Sequence, residues 1–136
     1  MRVTGSDLPQ GVQRFLRVHI DSIEKLEVLL LLRNRAERPW TASEVALELR
    51  ITEVSSTARL EDLASSELLV RNGETPVEYR FSPARSDDVR AISELALTYS
   101  ERRVSIITFI FSKPTERVQG FADAFLLRKK RDDDPG

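Results

Sequence analysis

Apolar residues recur at helical spacing through most of this chain, and the pattern predicts where each element begins. Asp7-Leu8-Pro9 opens a short helix with Val12, Phe15 and Leu16 on one face. Residues 21–35 form a stronger one. Asp21 followed by Glu24 has the spacing of a capping box, and Leu26, Leu29, Leu30 and Arg33 follow the helical period. Val28, Leu31 and Leu32 widen the apolar face, which implies burial on more than one side. Pro39 disfavours helix at Arg38 and so marks the end. Thr41 and Glu44 then make a second capping box, with Trp40 and Val45 at the hydrophobic-staple positions. Val45, Ala46 and Leu49 form the inner face of that helix. Arg50-Ile51-Thr52 is a short break. Thr52 caps a third helix, residues 52–65, anchored by Leu60 and Leu63.

From Leu69 the period shortens. Leu69-Val70-Arg71 predicts a strand, Asn72-Gly73 a turn extended through Pro76, and Val77-Glu78-Tyr79-Arg80-Phe81 alternates like a strand with one buried face. Ser86-Asp87-Asp88 starts a long helix with acids at the end its dipole favours, and Val89, Ile92, Leu95, Ala96 and Tyr99 form its stripe. Residues 104–111 are apolar nearly all round, and their β-branched content allows a buried strand or a helix. Val118, Phe121, Ala122, Phe125 and Leu126 trace a further amphipathic helix, and a charged tail ends the chain.

Helix, helix, short turn, helix, hairpin is the order of a winged helix-turn-helix domain. Ile51, Leu60, Leu63, Leu68 and Leu69 stand where bacterial winged-helix regulators, such as the MarR-like and ArsR-like groups, keep core residues. The resemblance spans about residues 20–82. It implies a mainly α fold, a two-stranded β-wing and long C-terminal dimerisation helices. It makes residues 41–50 the supporting helix, 52–65 the recognition helix and 69–81 the wing. The expected organisation is an N-terminal arm or short helix over residues 1–19 and the winged domain over 20–84. A helical dimerisation region over 85–131 and a disordered tail over 132–136 follow.

Composition narrows the chemistry. The 136 residues hold no Cys and one His, which excludes disulfides and thiolate metal sites and leaves almost no room for a histidine-centred triad. No Gly-rich phosphate loop or nucleophile motif is present. No catalytic residue, metal or cofactor is therefore expected, and the protein is read as a non-enzyme. The longest uncharged stretch is residues 104–112, far short of the about 20 residues of a membrane span. The opening MRVTGSDLPQ has no apolar signal core, so a cytoplasmic location is expected.

The resemblance implies double-stranded DNA as partner, read by the N-terminal part of the recognition helix in a major groove. The candidate contacts are Thr52, Glu53, Ser55 and Arg59, with Arg71 and Arg80 on the wing. Arg59 is the helix residue able to make a bidentate contact to guanine. Charge argues the other way. Arg50 and Arg59 face Glu44, Glu48, Glu53, Glu61 and Asp62, and the whole chain carries a formal net charge of -1. Phosphate contacts supply most non-specific affinity, so a protein-binding winged-helix adaptor is the alternative. The usual glycine near the end of the recognition helix is also replaced, by Ser66-Glu67. Finally, a domain of this size leaves residues 104–111 uncovered. The expected solution is a two-fold homodimer interface that includes Ile106, Ile107, Ile110, Phe111, Phe121 and Phe125.

Overall fold

The structure, a computed structural model, describes residues 7–112. Helix α1 (Gln10–His19) buries Val12, Phe15 and Leu16, the face its spacing predicts. Helix α2 (Ile23–Asn34) starts one residue later than the Asp21–Glu24 pattern suggests. Ser22 is the N-cap, and its side chain accepts from the Lys25 backbone N–H. Asp21 instead reaches the Lys25 ammonium at 3.6 Å. A hydroxyl at the extended residue just before the first helical turn meets the orphan N–H directly, which leaves the neighbouring carboxylate to a charged partner.

Strand β1 (Trp40–Thr41) and helix α3 (Ala42–Leu49) follow, then α4 (Glu53–Ser65), β2 (Leu69–Asn72) and β3 (Glu78–Phe81). The sheet is antiparallel in the order β1-β3-β2. The wing hairpin pairs Leu69 with Phe81 and Arg71 with Tyr79, and β1 adds Trp40 against Tyr79 on the other edge. The expected two-stranded wing is present, and β1 extends it into a three-stranded sheet. Two residues carry no period of their own, and only a partner nearly 40 positions away in sequence makes them a strand.

Helix α5 (Ser86–Glu101) is interrupted at Arg102, whose backbone leaves the helical region, and α6 (Arg103–Ser112) continues. The run at 104–111, open between strand and helix in the sequence, is helical. Asp7 braces the break: its carboxylate accepts from the Arg102 guanidinium at 2.6 Å and from the Ser105 hydroxyl at 3.3 Å. These bonds hold the Asp7 carboxyl below its ordinary range, the Arg102 hydrogen bond most of all.

One core links the elements. Val12, Leu16, Leu26, Leu29, Leu60, Leu63, Ile92, Leu95 and Ile106 are all fully buried within it. Helix α1 packs on both α5 and α6, and α2 packs on α4. The helix that would carry the DNA contacts is thus set on a floor of leucines from α2. Among the described residues, no helix is long and apolar enough to cross a membrane. The expectations for Val118, Phe121, Phe125 and the tail lie outside the described residues.

Candidate nucleic-acid interface

The α3–turn–α4 unit is built from local bonds the sequence announces. Thr41 accepts from the Glu44 backbone N–H while the Glu44 carboxylate accepts from that of Thr41, the complete capping box. Those bonds lower the Glu44 pKa, the one from the Thr41 backbone most strongly. The turn closes with the Ile51 N–H donating to Ala46 O at 3.0 Å. Thr52 caps α4 by accepting from the Ser55 N–H at 3.0 Å. One bond carries no signal in the sequence. Ser56 is fully buried, and its hydroxyl donates to Ala42 O at 2.8 Å, which pins the first turn of α4 to the start of α3. Lys25 adds a tie from α2 to α4 through Asp62 at 3.3 Å.

Thr52, Glu53, Val54, Thr57 and Ala58 are exposed on α4, and Ser55 is half-buried. Val54 is 81% exposed, and Leu47 on the neighbouring α3 is 79% exposed. Thr57, three residues after Val54, belongs to this outer face; the helical period contained that signal. Arg59 does not stand on it. Helical spacing places Arg59 outward, but the side chain turns sideways and its Nε donates to the Glu24 carboxylate of α2 at 2.8 Å. Both partners are half-buried, with side-chain exposures of 30% and 29%.

The wing is tied to α4 by one carboxylate. Glu61 accepts from Arg71 at 2.8 Å and from the Tyr79 hydroxyl. These bonds push the Glu61 pKa down, Tyr79 contributing more than Arg71. Burial, and then Glu61 itself, pushes the Tyr79 phenol up. Arg80 leans back over the loop before β1 and donates to Glu37 O at 3.1 Å and Ala36 O at 3.4 Å. Arg38 pairs with Glu44 at 3.2 Å and lies 3.6 Å over the Trp40 ring. At the far end of α4, Glu67 takes the left-handed backbone that glycine usually supplies, at φ 65°. The Leu68 N–H donates to Leu63 O at 3.0 Å to complete the stop, and the Glu67 carboxylate accepts from Arg85 at 2.8 Å.

Of the residues expected between two copies, Ile106 and Ile110 are buried inside the chain, at 0% and 7% exposure. Ile107 is half-buried, while Phe111 is 78% and Val104 76% exposed.

A capped helix pair with a tight turn, followed by a hairpin whose far strand pairs back to the residues before the helix pair, decides the architecture. The chain has a winged helix-turn-helix fold. Solved structures agree. MepR, a transcription regulator of the Staphylococcus aureus multidrug efflux pump MepA, matches at TM-score 0.52 and 15% identity, over 90% of this chain and 87% of MepR. A point mutant of S. aureus MepR bound to an oligodeoxyribonucleotide matches at TM-score 0.53 and 14% identity, over 90% and 87%. The ST1889 protein of the thermoacidophilic archaeon Sulfolobus tokodaii matches at TM-score 0.50 and 18% identity, over 69% and 91%. These identities show a shared fold. No protein-family model and no curated protein matches the sequence.

Proposed function

We propose that this chain is a homodimeric winged-helix transcription regulator that binds double-stranded DNA through α4 and the wing. The observation that carries the reading is the outer face of α4. Its first two turns offer small and hydroxyl side chains, Thr52, Ser55, Thr57 and Ala58, beside a wing tip whose residues 71–76 are all exposed. Small side chains let a helix sit deep in a major groove, hydroxyls hydrogen-bond base edges or phosphates, and Val54 and Ala58 suit thymine methyls. Glu53 suits the amino group of cytosine. A MepR mutant of the same fold is bound to an oligodeoxyribonucleotide. Arg59 and Arg71 then exchange an internal carboxylate for DNA, and Arg80 exchanges two backbone carbonyls.

Dimerisation is supported by the exposed apolar edge of α6, Val104 and Phe111 with half-buried Ile107 between them. An edge of this kind at a helix end is readily covered by its own symmetry mate. The adaptor reading is favoured by one observation, that Arg59, Arg71 and Arg80 all have internal partners. The test is a gel shift with DNA from upstream of the protein's own operon, at two salt concentrations, with light scattering of the free protein. A salt-sensitive shift by a particle of twice 15.5 kDa is the expected result. No shift, together with a protein partner in a pull-down, favours the adaptor. A clean monomer removes the dimer, and in a dimer Phe111→Asp should yield monomer or aggregate.

A further inference from the structure

Among the described residues, two other than glycine take a left-handed backbone, and they bracket α4: Arg50 at φ 60° before it and Glu67 at φ 65° after it. Glycine takes this conformation without steric cost, so a long side chain at such a position needs a use. Glu67 has one inside the chain, the ion pair to Arg85 at 2.8 Å. Arg50 does not. The backbone demands the left-handed turn there, because the N–H groups of Arg50 and Ile51 both donate to Ala46 O to end α3. The Arg50 side chain is exposed and makes no hydrogen bond or ion pair with any described residue. Glu48 and Glu53 stand two and three positions away, both exposed, and neither pairs with it. The other arginines around α4 are engaged: Arg38 with Glu44, Arg59 with Glu24, Arg71 with Glu61, Arg80 with two carbonyls and Arg85 with Glu67.

We propose that Arg50 is a phosphate-binding residue, placed at the mouth of the helix-turn-helix to hold the DNA backbone where α4 enters the groove. The inference rests on the DNA-binding reading above. A guanidinium just ahead of the Thr52 cap sits at the edge of the outer face, where backbone oxygens pass on either side of an inserted helix. Its planar fork suits phosphate oxygens. Unlike Arg59 and Arg71, it gives up no internal bond to bind. The contact is to the backbone, so it contributes register and affinity and carries no sequence preference.

The test uses Arg50→Gly and Arg50→Lys in the full chain, against the operon-upstream duplex and a scrambled duplex of equal length. Arg50→Gly is expected to raise the melting temperature, because it relieves the left-handed strain. It should weaken binding to both duplexes alike by about tenfold and flatten the slope of log affinity against log salt by about one unit. Arg50→Lys should keep the wild-type slope. A wild type that binds neither duplex overturns the DNA-binding reading and this role with it. A wild type that binds, with an unchanged slope in Arg50→Gly, overturns the role of Arg50 alone. A melting temperature that falls in Arg50→Gly overturns the strain argument.

Discussion

The Glu24–Arg59 pair gives the sharpest test of how this surface works, because its two residues should move DNA affinity in opposite directions. The nitrogen and oxygen lie 2.8 Å apart. Bare Coulomb attraction at that distance is about 1.5 kcal/mol in water and about 6 kcal/mol at an effective dielectric of 20. Ordering two long side chains and partly dehydrating both charges removes most of it. Double-mutant cycles on comparable pairs give about 0.2–1 kcal/mol, and the single fixed geometry puts this pair near the upper end. Urea unfolding of the wild type, Glu24→Ala, Arg59→Ala and the double mutant should therefore show a coupling of about 0.5–1 kcal/mol. In DNA binding, Arg59→Ala should cost about 1–3 kcal/mol if the guanidinium reads a base. Glu24→Ala frees the same guanidinium and should tighten binding about 2- to 5-fold, the coupling energy expressed as affinity. The tightening must vanish in the Arg59→Ala background, which separates release of Arg59 from the general loss of a negative charge. Glu24→Ala that weakens binding, or tightens it equally without Arg59, would falsify the exchange of carboxylate for DNA.

Glu61→Gln loosens the tie between wing and α4, so Arg71 no longer leaves a carboxylate to reach DNA and binding should tighten, a gain that should vanish in an Arg71→Ala background; a gain that persists there, or none at all, excludes Arg71 from the interface. Gly73 sits at φ 79° in the wing turn, and an added Cβ would meet Pro76 O at 2.9 Å. Gly73→Ala should lower stability by about 1 kcal/mol or more in thermal melts, and a melt unchanged within error would contradict that geometry. His19 supplies a pH signature. Burial lowers its pKa from 6.5, Asp88 opposes this, and Arg85 and Lys25 add to it. The unfolded chain then binds the proton more readily than the folded one. Stability should fall as pH drops below 6.5 and level off once pH is under the folded value. His19 is the only histidine, so His19→Gln should flatten the urea midpoint between about pH 7.5 and 5; a slope that survives the substitution assigns it to other groups.

Local chemistry made much of this molecule legible in the sequence. The Thr41–Glu44 capping box, the Thr52 cap, the inward Leu60 and Leu63 and the alternating β3 all stand where residue spacing puts them. Each depends on partners within a few residues, or on a period that one segment carries alone. The fold class followed, because the order of such segments leaves few ways to cover their apolar faces. What depended on distant partners was not legible. Trp40–Thr41 becomes a strand because Tyr79 and Glu78 arrive beside it. Buried Ser56 is a bolt because Ala42 O lies opposite. Ile106 and Ile110 are core because α1 folds across α6, a contact no helical wheel contains. The candidate site shows the division most plainly. The sequence by itself determined that Leu60 and Leu63 turn α4 toward the core and that the acids around the helix outnumber the bases. Only the tertiary structure decided that Arg59, Arg71 and Arg80 turn to Glu24, Glu61 and the 36–37 carbonyls, while Arg50 turns to no described residue. The physical reason is reach: a guanidinium on a long flexible stem goes to the nearest acceptor in space, and spacing along one helix does not say which acceptors the other elements bring there.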